Sequence, residues 1–126
     1  MIKIVVTGDA VPAARPRFNG HAYQPKRNME YRARVKNAAY SAMAGREPMT
    51  GAVAVCVRLY RRYKPTTKQF GDADNHLKAI LDGLNQIAFK DDSQICRCLV
   101  EKFKDAENPR AEIEIEELGS DNDVKS

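Results

Sequence analysis

The chemistry in this chain is concentrated in one stretch, Gly71-Asp72-Ala73-Asp74-Asn75-His76-Leu77-Lys78. Asp72 and Asp74 are two apart, and in an extended segment residues i and i+2 point to the same side. Two carboxylates about 4 Å apart repel by roughly 4 kcal/mol at an effective dielectric of 20. Protonation, a neighbouring Lys or Arg, or a divalent cation offsets that cost. A donor set made only of oxygen suits magnesium or manganese. The competing reading is structural, since Asp and Asn are ordinary helix-capping residues. Three further features bear on the choice. Lys78 lies one helical turn after Asp74, Asp82 continues that edge, and Asp91-Asp92 follows the helix. A helix of about 15 residues spans roughly 22 Å, so either aspartate of that pair reaches Asp72 only if a following strand runs back alongside the helix. A metal held by such carboxylates activates water and stabilises charge on a phosphodiester. Lys78 would then bind the phosphate or stabilise developing negative charge.

Such a centre needs a basic surround, and the charge is strongly divided. The net charge of +4 hides 13 Lys or Arg against only Glu30 and Glu47 between Ala13 and Lys68, a balance of +11. From Gln69 to Ser126 there are 7 basic and 14 acidic residues, a balance of −7. Nucleic acid is the commonest partner for so basic a segment. Arg15, Arg17, Lys26, Arg27, Arg61, Arg62, Lys64 and Lys68 are the expected DNA contacts. The longest apolar run, roughly Ala52–Val57, is far too short to span a bilayer, and Met1–Val6 lacks the features of a signal peptide, so a cytoplasmic protein with no membrane association is expected. Cys56, Cys96 and Cys98 fit no zinc spacing and read as buried or half-buried thiols in strands. His76 reads as a polar position on the helix after Asp74. Phe18, Tyr23 and Tyr31 read as core or loop packing, with base stacking the alternative.

At 126 residues the chain fits one domain. Ile2–Val6 reads as a strand, and the Pro-rich 10–25 segment as a surface loop. Asn28–Ala44 reads as a helix capped by Asn28, with Tyr31, Val35, Ala38, Ala39 and Ala42 on one face. Ala52–Tyr60, apolar on both faces, reads as a central strand. Asp74–Ala88 carries a stripe of Leu77, Ile80, Leu81, Leu84 and Ile87. Strands follow at about Gln94–Phe103 and at Ala111–Leu118, the latter alternating Ile113 and Ile115 with Glu112, Glu114 and Glu116 in the manner of an edge strand with one solvated face. Their closeness predicts an antiparallel hairpin around Asp105–Arg110. The expected fold is therefore α/β (α+β), with one mixed sheet, two main helices and the order β-α-β-α-β-β over residues 1–118. Residues 119–126 are expected to be a disordered tail.

The stretch from Gly71 to Asn85, with Lys90-Asp91-Asp92-Ser93-Gln94-Ile95, resembles the RusA family of Holliday junction resolvases. The shared pattern is Asp-x-Asp-Asn, Lys, Asp-x-Leu, and then Asp-Asp-x-Gln. The Arg15-Pro16-Arg17 and Tyr23-Gln24-Pro25 segment resembles that family's basic N-terminal loop. The resemblance implies metal-binding catalytic carboxylates at Asp72, Asp74 and Asp92, with Asp91 the lesser candidate for the third. It implies a catalytic lysine at Lys78, and Asp82 is given no metal role beyond positioning Lys78 or pairing with a basic residue. It implies a magnesium-dependent endodeoxyribonuclease, with manganese a substitute, acting on four-way junctions in recombination and repair. It also implies a homodimer, which suits a substrate of near two-fold symmetry that must be cut on two strands. The alternatives are a metal-dependent nuclease of broader choice, acting on flaps or single strands, and a non-catalytic nucleic-acid-binding protein whose aspartates only cap a helix.

Overall fold

The structure, a computed structural model, describes residues 1–14 and 25–119. It contains β1 (Ile2–Thr7), α1 (Lys26–Met43), β2 (Val53–Arg61), α2 (Ala73–Leu84), β3 (Ile95–Lys104) and β4 (Arg110–Glu117), with a short 3-10 turn, Asp92–Gln94, leading into β3. This is the expected element order in a single α+β domain with one mixed four-stranded sheet. Of the proposed loop, residues 15–24 lie outside the described ones, as do residues 120–126 of the proposed tail.

Alternation builds the sheet. Ile2, Ile4 and Val6 of β1 are buried while their neighbours are exposed, and Val53, Val55, Val57 and Leu59 of β2 are buried between half-buried neighbours. The inward face of β4 carries Ala111, Ile113 and Ile115, all buried. Both helices lie against this one face. α1 contributes Tyr31, Val35, Ala39 and Met43, and α2 contributes His76, Ile80, Gly83 and Leu84. The other face of the sheet has no layer over it among the described residues.

The strand order is β1-β4-β2-β3, with β2 and β3 parallel and β4 antiparallel to both β1 and β2. Two expectations fail here. β3 and β4 do not form a hairpin, and β4 is a central strand. The connection after β3 crosses the end of β2, where Asp105 N–H donates to Arg61 O at 2.7 Å, and delivers β4 to the opposite side. There the buried row of β4 has apolar neighbours on both flanks. Glu112 and Glu114 project from the uncovered face, paired with Arg110 and Arg58. The central position of β2 is as expected.

The helix limits also shift. α1 begins at Lys26 after Pro25, so Asn28 is not its cap; its side-chain N–H₂ donates to Pro12 O at 2.7 Å and ties the segment after β1 to the helix. α2 ends at Leu84 rather than Ala88. Gln86 adopts a φ of 68°, and the chain turns to bury Ala88 and Phe89 beneath the start of β2, with Met49 N–H bonded to Ala88 O. The cysteines sit in strands, but only Cys56 is half-buried; Cys96 and Cys98 are exposed because β3 is an edge.

With β1, β2 and β3 all parallel, both helices run back from the carboxyl end of these strands to their amino end. Their close approach depends on Gly83. A Cβ there would lie 2.6 Å from Val35 Cγ1 and 3.2 Å from Arg32 O. Gly83→Ala is therefore expected to destabilise the fold by about 1–3 kcal/mol through overpacking, despite a helix-propensity gain of about 1 kcal/mol. Chemical denaturation checks this, and a stabilised variant would contradict the packing account.

Candidate active site

The carboxyl end of the parallel strands carries the Asp72–Asp74 pair, and a buried cation organises it. Arg61 is the last inward-facing residue of β2 and only 3% exposed. Its Nε and Nη2 donate to the two carboxylate oxygens of Asp9 at 2.8 and 3.0 Å. Its Nη1 donates to Phe70 O and, at 3.3 Å, to Gln69 O. The Arg61 hydrogen bond holds the Asp9 carboxyl below its ordinary range. Such a fork-to-carboxylate pair offsets the desolvation of both ions.

Two more groups seize the same segment. His76, buried in the first turns of α2, bonds through Nε2 to Phe70 O at 2.6 Å, and Lys102 Nζ donates to Gly71 O at 3.0 Å. A carbonyl only accepts, so His76 carries its proton on Nε2. Burial pushes the ring down to about 4, leaving it neutral at pH 7. Gly71 has a φ of 95°, and a Cβ there would stand 2.9 Å from His76 Nε2. The three carbonyls just before Asp72 are thus each held from the core or from β3.

Asp72 is the residue before α2, in extended conformation, and makes no side-chain capping hydrogen bond. Asp74 lies in the first turn, where Oδ1 accepts Asn75 N–H at 3.0 Å, and Ala13 N–H bonds to Asn75 O. Both aspartates are exposed. Lys78 Nζ stands 4.0 Å from Asp82, and these two line a small cleft with Asn28, Arg32 and Ala13.

Asp91 and Asp92 occupy different environments. Asp91 accepts Ser93 N–H at 3.0 Å, while Gln94 Oε1 accepts the N–H groups of Lys90 and Asp91, both at 2.9 Å. This is a reciprocal capping box. Hydrogen bonding to Ser93 holds Asp91 below the usual carboxylate range. Gln94 also donates to Met49 O and Gly51 O, pinning the turn to the start of β2. Asp92 is exposed beside them.

That anchoring fixes where the pair lies. The start of β2 and the end of α2 meet at Met49 and Phe89, whereas Gly71 meets Lys102 near the end of β3. Asp92 therefore sits at the opposite end of α2 from Asp72 and Asp74, about 20 Å away for a 12-residue helix plus its flanks. β3 does run back along α2, but what it returns to Asp72 is Lys102. Among the described residues no three His, Cys, Asp or Glu side chains are grouped so as to hold a metal ion.

The basic residues divide likewise. Lys26, Arg27, Arg62, Lys64 and Lys68 are exposed, with Lys26 3.8 Å from Glu30. Arg61 is buried and committed to Asp9, so it has no face to offer DNA. Arg15, Arg17, Phe18 and Tyr23 lie outside the described residues. Tyr31 is buried against the core. Sequence reasoning missed Asp9, Lys102 and the anchoring role of Gln94; the available signal was that Arg61 continues the inward phase of Val53, Val55, Val57 and Leu59.

The fold and this end of it define a two-layer α+β domain that presents a carboxylate pair, locked through its backbone, within a basic surround. The chain belongs to the RusA endodeoxyribonuclease family: the family model described as Endodeoxyribonuclease RusA matches residues 7–116, in agreement with the resemblance seen around Asp72. A similar protein of Bacillus subtilis (strain 168), carrying the name Uncharacterized protein YqaN, is 32% identical over 143 residues, covering 94% of this chain and 98% of that one. No helix among the described residues is long and apolar enough to cross a membrane.

The neutral, buried His76 makes stability depend on pH. Its folded pKa lies below the unfolded value of 6.5, so the unfolded chain takes up the proton first. Stability is fully present above about pH 6.5 and falls as pH drops toward 4, by on the order of 3 kcal/mol from this group. A ring titration by NMR with a midpoint near 4 is expected; a midpoint near 6.5 would contradict the buried hydrogen bond to Phe70.

Proposed function

We propose that the protein is a divalent-metal-dependent endodeoxyribonuclease that resolves Holliday junctions during DNA recombination and repair, acting as a homodimer in the cytoplasm. The observation that carries this reading is the exposed Asp72–Asp74 pair, held at the three preceding carbonyls by Arg61, His76 and Lys102. A pure capping role lacks its hydrogen bond at Asp72. Family membership supplies the reaction class.

The donor set suits a hard cation, because it is oxygen-only and exposed. Asp72, Asp74 and Asp92 would hold magnesium, or manganese in its place. When bound, the ion supplies an activated water and neutralises charge on the phosphate. The remaining work belongs to side chains. Lys78, one helical turn after Asp74 and 4.0 Å from Asp82, approaches a phosphate oxygen as negative charge develops. Arg62, Lys64 and Lys68 on the loop leading to Asp72, with Lys26 and Arg27 at the start of α1, hold flanking phosphates and make binding fall with salt. Arg61 acts on DNA only through the loop that it anchors. Asp91 is the capping residue of its turn, which leaves Asp92 as the third ligand.

Asp92 lies too far from Asp72 to serve the same metal within one chain. A two-fold dimer resolves this if each copy lends its Asp92 to the carboxylate pair of the other. The same symmetry provides two sites for the two strands of a junction.

Asp72→Asn and Asp74→Asn are each expected to slow magnesium-dependent cleavage of a synthetic four-way junction by more than about 100-fold, the scale of one lost transition-state contact. Junction binding should stay equal or tighten, because a charge near phosphate is removed. Wild-type cleavage rates in both variants would refute the assignment, and faster cutting of flaps or single strands than of junctions would replace the proposed substrate.

A further inference from the structure

Four arginines among the described residues are buried or half-buried: Arg32, Arg58, Arg61 and Arg110. Three of them face carboxylates. Arg58 pairs with Glu101 and Glu114, Arg61 with Asp9, and Arg110 with Asp105 and Glu112. Arg32 is the exception. It makes no side-chain hydrogen bond, ion pair or ring contact among the described residues, although Asp82 lines the same cleft. A guanidinium carries five N–H donors in a fixed fork, and drawing it partly out of water without partners costs free energy. We infer that the cleft between α1 and α2 is a subsite for a DNA backbone phosphate close to the one that is cut, with Arg32 as its anchor.

The inference rests on the nuclease reading above and adds a binding residue to it. Both helices run away from the end of the sheet that carries Asp72 and Asp74. α1 gives the cleft Asn28 and Arg32, α2 gives it Lys78 and Asp82, and Ala13 stands at its rim. Ala13 N–H is bonded to Asn75 O, which ties that rim to the first turn of α2. Lys78 and Asp82 stand one and two turns after Asp74, roughly 6 and 12 Å along the helix. A DNA strand advances about 3.4 Å per nucleotide. With the cut phosphate at the Asp72–Asp74 pair, a strand that follows α2 therefore lays a phosphate roughly two or three nucleotides away over the cleft.

Charge favours an anion here. Arg32 and Lys78 outweigh Asp82, whose carboxylate lies 4.0 Å from Lys78 Nζ. The first turn of α1, which contains Asn28, carries no acidic residue, so the positive end of the helix dipole adds to the field. No aromatic side chain lines the cleft, so it offers a base nothing to stack on. A phosphate suits it better, because arginine takes phosphate oxygens by two parallel N–H bonds. Such contacts fix the position of a strand without reading its bases. The subsite therefore sets the strand on the Asp72–Asp74 pair and does not choose the sequence that is cut.

The test compares full-length wild type, Arg32→Gln and Arg32→Lys on a synthetic four-way junction. The same junction is also made with a single neutral methylphosphonate at each phosphate near the cut in turn. Arg32→Gln is expected to lower kcat/KM by at least about 10-fold, the scale of one charged hydrogen bond. It should also reduce the slope of log binding against log salt by about one. Arg32→Lys keeps the charge and loses the fork, so it should fall between the two, and it serves in place of Arg32→Gln if that variant does not fold. The methylphosphonate that overlies the cleft should slow the wild type to a similar degree and slow Arg32→Gln no further. A merely structural role would lower thermal stability, leave the salt slope unchanged and let the two losses multiply at every position. That result overturns the subsite, as do variants that bind and cut like the wild type. A changed salt slope in Arg32→Gln beside a wild type that cuts no DNA with magnesium would overturn the nuclease reading and leave the phosphate contact standing.

Discussion

The guanidinium of Arg61 is the constraint on which the arrangement of this domain turns. A buried cation costs several kcal/mol unless its hydrogen-bonding capacity is used. Arg61 uses it on both sides of the chain, on the Asp9 carboxylate after β1 and on the carbonyls of Gln69 and Phe70 before α2. The Tyr63 and Phe70 rings lie about it, with centroids 5.0 and 5.6 Å from the guanidinium carbon. One side chain thus joins the ends of β1 and β2 to the entrance of α2. His76 and Lys102 complete the hold on that entrance from the core and from β3. The aspartates that follow are exposed, yet the backbone before them is clamped, and such clamping is how a fold holds ligands near one geometry without burying their charge.

Much of the scaffold was legible in the chain because it follows from periodicity. The alternation in Ile2–Val6 and Val53–Leu59 and the three-four spacing of Tyr31, Val35 and Ala39 describe inward faces, and those faces are where the structure has them. Strand pairing was not legible in the same way. The short Asp105–Arg110 connection suggests a hairpin, but the wish of Ala111, Ile113 and Ile115 for apolar neighbours on both sides is met only between β1 and β2. Alternation identifies a face and leaves open which strands flank it.

The candidate site divides on the same line. Asp72, Asp74 and Lys78 stand out because their spacing is local. The difference between Asp91 and Asp92 depends on Ser93, Gln94 and the carbonyls of Met49 and Gly51, more than 40 residues away, and no local pattern carries it. Charge counting put Arg61 among the DNA contacts, since a count cannot tell a solvated arginine from one whose carboxylate partner is 52 residues distant. The phase of Arg61 in β2 was the overlooked sign.

The parallel crossover from β2 through α2 to β3 separates the carboxylates, with Asp72 and Asp74 at one end of the helix and Asp92 at the other. A metal centre that drew on all three would therefore require two chains. Mixing two inactive proteins, Asp74→Asn and Asp92→Asn, under conditions of subunit exchange tests this most directly. If the site is shared, each mixed dimer pairs an intact Asp72–Asp74 with an intact Asp92 at one of its two sites. An equal mixture should then nick junctions at about a quarter of the wild-type strand-cutting capacity, the statistical share of intact sites in a two-fold dimer, while neither parent cuts alone. A mixture that exchanges subunits yet remains as inactive as its parents would contradict the shared site.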